Sequence, residues 1–262
     1  LIFMGDMLAP SKEITPESVN IPANSVHRIV SWLQARYPDQ IFVINGNHEM
    51  HMMANAKKIE IPPDAPWSAH LGAVDARHFP DVNQVVNRIA ESPLIIQIGD
   101  KDKGELTRTF QHSPGRAQGG HGLKQVEGMN TPKERYTEGM DIFDNENSLD
   151  AKAMKELNKR NKSDLTYFGH ISPTTMQRSI ADGRVKPIEA QGSVVKVDGG
   201  GVYIDSQTMR GGVLEINLDK DAVSEKIIPL AQLHDKHKTR QKGLTEFGGN
   251  DADIRLEPQI KS

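Results

Sequence analysis

The chain has 262 residues, with 32 basic and 35 acidic side chains for a net charge of −3. That length holds one large domain or two small ones, and the near-balanced charge implies no broad attraction to nucleic acid or to an anionic membrane. The absence of cysteine excludes disulfides and thiolate metal sites, so any metal must be held by His, Asp, Glu or Asn, which favours ions such as Mn, Fe, Zn or Mg. A hydrophobic content of 36% and a mean hydropathy of −0.55 point to long polar loops around a modest core.

Leu1-Ile-Phe-Met4 reads as the middle of a buried strand, ended by Gly5-Asp6. It has no polar lead-in, so the natural amino terminus is expected to lie upstream, with any targeting segment. A polar loop over 10–20 leads to an amphipathic helix over 25–37, with Val26, Ile29, Val30, Leu33 and Trp32 on its inner side. Pro38-Asp39 stops that helix. Ile41-Phe-Val-Ile44 then reads as a fully buried strand that breaks off at Asn45-Gly46-Asn47-His48-Glu49. Asn47 and His48 thus fall at the carboxyl end of a buried strand, where open α/β sheets keep their sites. An amide oxygen beside an imidazole there suits a metal ion and a proton-transfer partner.

A helix is expected over 49–57, packed by Met52 and Met53, with His51 either packing or lining the cleft. An irregular Pro-rich stretch with Trp67 as anchor follows. Asp81 is expected to cap a helix running to 91, with Val82, Val85, Val86 and Ile89 on one face. Pro93–Ile98 and Leu106–Gln111 form a hairpin across a charged turn, and His112 ends it. Residues 113–147 show little periodicity and read as a long polar loop, of the kind that is either a functional lid or disordered. Leu149–Asn161 reads as a polar helix, Leu165–Phe168 as a strand closed by Gly169-His170, and Pro173–Ile180 as a short helix. Strands are expected at 193–197, 202–205, 213–218 and 222–228, with Gly199-Gly200-Gly201 in a tight turn, and a solvated tail from 234.

Four strands thus end in residues of metal-binding type: Asp6, Asn47-His48, His112 and His170. In order, Gly5-Asp6, Gly46-Asn47-His48-Glu49, an isolated His112 and Gly169-His170 resemble the calcineurin-like metallophosphoesterases, closest to the branch of Ser/Thr phosphoprotein phosphatases. Ser92-Pro93-Leu94 through Phe110-Gln111-His112-Ser113-Pro114-Gly115 is similar to that branch's hairpin. Tyr203-Ile-Asp-Ser-Gln-Thr-Met-Arg-Gly-Gly-Val-Leu-Glu-Ile216 is similar to its late strand, loop and strand.

The resemblance spans roughly residues 1–230 and implies an α/β fold, a four-layer αββα sandwich lacking its first strand in this chain. It places a metallophosphoesterase domain over 1–233, with 113–147 as a polar insertion and 234–262 as a polar tail. It implies two divalent metal ions, manganese favoured over iron, zinc or magnesium. Asp6 would bridge them and share in catalysis; Asn47, His112 and His170 would complete the second site. His48 would be the general acid, and Asn47, Arg116 and Arg210 would contact phosphate, with Arg135 as a further candidate.

The family's opening Asp-x-His would precede Leu1, and Asp235-Lys236-His237, which has that spacing, lies in the polar tail. Ala9-Pro10 stand where the phosphatase branch carries an Asp-Arg pair. The expected function is therefore metal-dependent hydrolysis of phosphomonoesters, on protein phosphoserine or phosphothreonine or on small molecules. The alternatives are a catalytically impaired binding module of the same fold and a nucleotide or dinucleotide polyphosphate hydrolase. A phosphorylated substrate is the expected partner, with no nucleic acid and no membrane, and the cytoplasm the expected compartment.

Overall fold

The computed structural model describes residues 1–7, 22–60, 82–99, 101–115, 126, 128–137, 139, 143, 149–191, 194–205, 212–216 and 225–229. The chain groups into two units, Leu1–Thr208 and Met209–Ser262. In the first, β1 (Ile2–Phe3) pairs in parallel with β2 (Phe42–Val43), and helix α1 (Pro22–Arg36) lies between them in sequence. Helices α2 (Asn47–Lys57) and α3 (Val82–Glu91) follow.

The main sheet has six strands: β3 (Ile95–Ile98), β4 (Arg108–Gln111), β5 (Leu165–Phe168), β6 (Pro187–Gln191), β7 (Val194–Val197) and β8 (Gly201–Ile204). Their spatial order is β3-β4-β5-β8-β7-β6. Strand β4 runs parallel to β5, and β5 to β8, while the β3–β4, β7–β8 and β6–β7 pairs are antiparallel. Helices α4 (Pro132–Thr137), α5 (Ala151–Asn161) and α6 (Pro173–Ala181) complete this unit. In the second unit, β9 (Gly212–Ile216) and β10 (Glu225–Pro229) form an antiparallel pair. The result is a mixed α/β fold.

Two apolar cores hold the first unit. One gathers Met50, Met52 and Met53 of α2 with Val85, Val86 and Ile89 of α3, together with Leu94, Ile95, Tyr136 and Phe143. The other gathers Met154 and Leu157 of α5 with Phe168, Ile171, Met176, Val197 and Tyr203. The apolar stripe expected on α3 is the face that packs. Asn158 of α5 stitches the second core to the sheet. Its amide donates to the Gly199 and Gly200 carbonyls at 2.8 and 3.1 Å and accepts from the Thr166 hydroxyl at 2.6 Å.

Several expectations are corrected. Ile29 and Trp32 are 58% and 57% exposed, and α1 instead turns Val30 inward. Apolar residues at 26, 29, 30, 32 and 33 span so wide an arc that the pattern alone does not select the inner edge. Phe42 is 41% exposed, so the 41–44 stretch is buried at Ile41, Val43 and Ile44 rather than throughout. The 113–147 stretch is not structureless, because it carries α4. Strand β6, which the pattern does not announce, adds to the edge of the sheet. His51 packs rather than lines a cleft: it is 1% exposed, and its Nδ1 lies 3.0 Å from the Tyr136 hydroxyl. Trp67, Asp81, Ala9-Pro10 and Asp235-Lys236-His237 lie outside the described residues.

Candidate metal centre

The centre forms where the chain leaves β1, β2, β4 and β5 at their carboxyl ends. Gly5 has φ +87°, and a Cβ there would lie 2.5 Å from the Gly46 nitrogen and 2.9 Å from His112 Nδ1. A Cβ on Gly46 would lie 2.3 Å from Asp6 Oδ1. Two glycines therefore let the Gly5-Asp6 and Gly46-Asn47 turns cross in contact.

Among the described residues, four non-glycine residues have positive φ. Lys58 and Lys162 are helix C-caps, where the left-handed conformation is ordinary. The other two are Asp6 (φ +53°) and His170 (φ +62°). Left-handed backbone at a residue with a Cβ costs about 1–3 kcal/mol and persists where its surroundings over-determine it. At Asp6 and His170 the conformation turns a strand end back toward the centre.

Asp6, His112 and His170 form a group whose ligand atoms all lie within 4.8 Å of one another. Asp6 Oδ2 is 3.1 Å from His112 Nε2 and 3.7 Å from His170 Nδ1. His112 Nε2 is 2.8 Å from His170 Nδ1 and 3.2 Å from Asn47 Oδ1. Atoms bound about 2.1 Å from one ion stand roughly 3–4 Å apart, so the set fits a single divalent cation. The tautomer fits too. His112 Nδ1 donates to the Met4 carbonyl at 2.6 Å, which leaves the Nε2 lone pair facing inward.

Asn47 answers to the same logic. With its oxygen inward, lone pairs from four residues face one another, a crowding that a cation resolves. With its amide reversed, the nitrogen lies 3.1–3.2 Å from both Asp6 oxygens, His170 Nδ1 and His112 Nε2, so its two hydrogens find acceptors among them without a cation.

Charge follows from this crowding. Burial alone would raise the Asp6 carboxyl, but the charge and hydrogen bond of His112, with His170 and His48, hold it well below the usual carboxylate range. Burial likewise works against a charged His112, yet Asp6 beside it, the Met4 carbonyl and Glu49 raise it above the ordinary imidazole value. His48 stands beside this group. Its backbone N–H donates to Asp6 Oδ1 at 3.2 Å, and its Nε2 lies 4.0 Å from Asp6 Oδ2.

The structure thus brings together Asp6, Asn47, His48, His112 and His170. Arg116 and Arg210 lie outside the described residues. Arg135 is committed elsewhere: it donates to the Ala90 carbonyl at 2.7 Å and to the Ser92 carbonyl, closing the carboxyl end of α3. The residue without a role in the sequence reading is Glu49. It is fully buried and accepts from the Asp6 and Gly46 N–H groups at Oε2 and from Met7 N–H at Oε1, all at 2.8 Å. A glutamate three residues after the Gly46 cap of α2 is the signal, since a side chain there reaches back to the cap's N–H.

No protein-family model and no curated protein matches this sequence. Among solved structures, the chain is similar to a protein serine/threonine phosphatase from Saccharomyces cerevisiae described as similar to human phosphatase PP5. The TM-score is 0.51 at 12% identity, over 87% of this chain and 70% of that one. The two share a fold. No helix among the described residues is long and apolar enough to cross a membrane.

Proposed function

We propose that this chain is a metal-dependent phosphoesterase acting on phosphomonoesters. One observation carries the reading: Asp6 Oδ2, Asn47 Oδ1, His112 Nε2 and His170 Nδ1 converge at single-cation spacing beside His48. The phosphatase-like fold supports it. Asp6, Asn47, His112 and His170 would hold the ion, a mixed O/N donor set open to Mn, Fe, Zn or Mg, with manganese favoured by the phosphatase resemblance. When bound, a divalent ion supplies Lewis acidity toward a phosphoryl oxygen and lowers the pKa of water.

The chain's own residues do the rest. Asp6 keeps its carboxylate ionised at any ordinary pH, and the Met4 carbonyl fixes the His112 ring. His48 donates its proton to the departing alkoxide, so the leaving group departs as a neutral alcohol. In this reading the fold is the four-layer αββα sandwich, Asp6 would also serve a second ion, and Asn47, Arg116 and Arg210 would contact the phosphoryl group. The substrates are phosphoserine or phosphothreonine in proteins, in the cytoplasm. The described residues supply the donors of one ion.

The test is hydrolysis of p-nitrophenyl phosphate with metal content measured in parallel. Turnover that depends on Mn²⁺ and disappears with chelator is expected. Bound metal without turnover would favour the binding-module reading, which Arg135's commitment to α3 supports. No bound metal at all would sink the proposal.

A further inference from the structure

Glu49 holds the backbone on which two of the donors are mounted. We propose that Glu49 is the positioning residue of the centre, a three-way backbone clamp that locks Asp6 into its left-handed conformation and so sets metal affinity. The inference rests on the metal-site reading above and deepens it.

Three bonds define the clamp. Oε2 accepts from Asp6 N–H and from Gly46 N–H, and Oε1 accepts from Met7 N–H, each at 2.8 Å. One carboxylate therefore joins the Gly5-Asp6-Met7 turn to the Gly46-Asn47-His48 turn, more than forty residues apart in sequence. Amides pointing at a carboxylate are the stronger kind of backbone bond. They fall on the residue that most needs restraint, because Asp6 sits at φ +53° without glycine's freedom.

The side chain of Asp6 obeys the same restraint. With its backbone held, Oδ1 accepts from His48 N–H at 3.2 Å while Oδ2 faces His112 and His170 at 3.1 and 3.7 Å. Were the Asp6 backbone to relax toward the right-handed region, its carboxylate would swing away from both histidines. Placing a second buried carboxylate close to Asp6 is electrostatically unfavourable. An apolar residue at 49 would fill the same buried volume without that penalty. It would leave three amides without their acceptor.

The test compares Glu49→Gln with Met53→Ala in the full 262-residue chain. Met53 lies on the same helix, fully buried in the apolar core, so its truncation reports general loosening of α2. A glutamine offers one carbonyl oxygen and turns an NH₂ toward an N–H donor, so at least one clamp bond is lost in either orientation. Mn²⁺ affinity is read by calorimetry, and the melting temperature of the chelator-treated chain is read separately. Glu49→Gln is expected to weaken Mn²⁺ binding about 10–100-fold, the scale seen when a ligand's supporting partner is removed. Met53→Ala is expected to lower the melting temperature while keeping affinity within about threefold, the spread allowed for context.

Equal affinity in Glu49→Gln and wild type overturns the clamp while leaving the metal site standing. So does a loss of affinity that tracks melting temperature alike in both variants. A wild type that binds no Mn²⁺ overturns the metal reading itself, and the clamp with it. Should Glu49→Gln fail to fold, hydrogen exchange on the wild type decides. The amides of Asp6, Met7 and Gly46 are expected to exchange at least about 100-fold more slowly than unprotected amides, as bonded buried groups do. Exchange at the unprotected rate would overturn the clamp.

Discussion

His48 is placed differently from its neighbours. Asp6 Oδ2 lies 3.1 and 3.7 Å from His112 and His170, but 4.0 Å from His48 Nε2. A residue so placed can reach a substrate oxygen without being needed to hold an ion. His48→Gln is therefore expected to lower turnover by about 10²–10⁴-fold, the range for loss of a general acid. Metal content should stay unchanged, because the ring nitrogen stands farther from Asp6 Oδ2 than either donor imidazole does. Equal loss of metal and turnover would show that His48 is a ligand instead.

At the scale of elements, one side chain makes the polar junction between α5 and the sheet. Asn158 satisfies the carbonyls of the Gly199-Gly200 turn and the hydroxyl of Thr166 on β5, so helix, turn and strand meet at a single buried amide. Asn158→Ala leaves three polar groups without this partner. At about 1–3 kcal/mol for an unsatisfied buried group, with partial recovery by water, a loss of about 2–3 kcal/mol is expected in urea unfolding. A loss below about 0.5 kcal/mol, the usual bound for an inert substitution, would mean the amide is not a junction. Tyr203 ties a further element to the centre: its buried hydroxyl donates to the Ile171 carbonyl at 2.8 Å, immediately after His170. Burial pushes that phenol well above its ordinary range, so it remains a donor throughout the working pH range.

For the whole molecule, the candidate centre is expected to make stability depend on pH and on metal together. Asp6 is held low, so its contribution is present above the ordinary carboxylate value and is lost as pH falls toward its folded value. His112 is raised, so its contribution is complete below about 6.5 and is lost as pH climbs through its folded value. Glu49, raised by burial and by Asp6, works against them: ionising it costs stability above its ordinary value. In chelator, the melting temperature is therefore expected to fall on the alkaline side as the His112 proton leaves. Mn²⁺ should lift that alkaline limb most, because a cation then occupies the place the proton vacates. At a hundredfold excess over its dissociation constant it adds about 2.7 kcal/mol. A uniform shift across pH would mean the ion binds elsewhere.

How much of this was legible in the sequence follows from range. Gly5-Asp6, Gly46-Asn47-His48, His112 and Gly169-His170 could be read as strand ends because a buried strand and its turn are written in consecutive residues. The α3 stripe was legible for the same reason, since its periodicity is internal to one helix. The packed face of α1 was not. Ile29 and Trp32 are as apolar as Val30, and only the position of the neighbouring elements selects which of them is buried. Arg135 looked like a phosphate contact because a lone arginine carries no mark of its partner; the carbonyls it closes lie over forty residues away. Glu49 likewise carried its helix-cap signal in the local sequence, but not its bonds to Asp6 and Met7. The sequence by itself determined which side chains could bind a cation and that each would stand at a strand end. Only the tertiary structure decided that they meet at 3–4 Å and which buried group holds them there, because that depends on long-range strand pairing and on two glycine turns crossing without a Cβ between them.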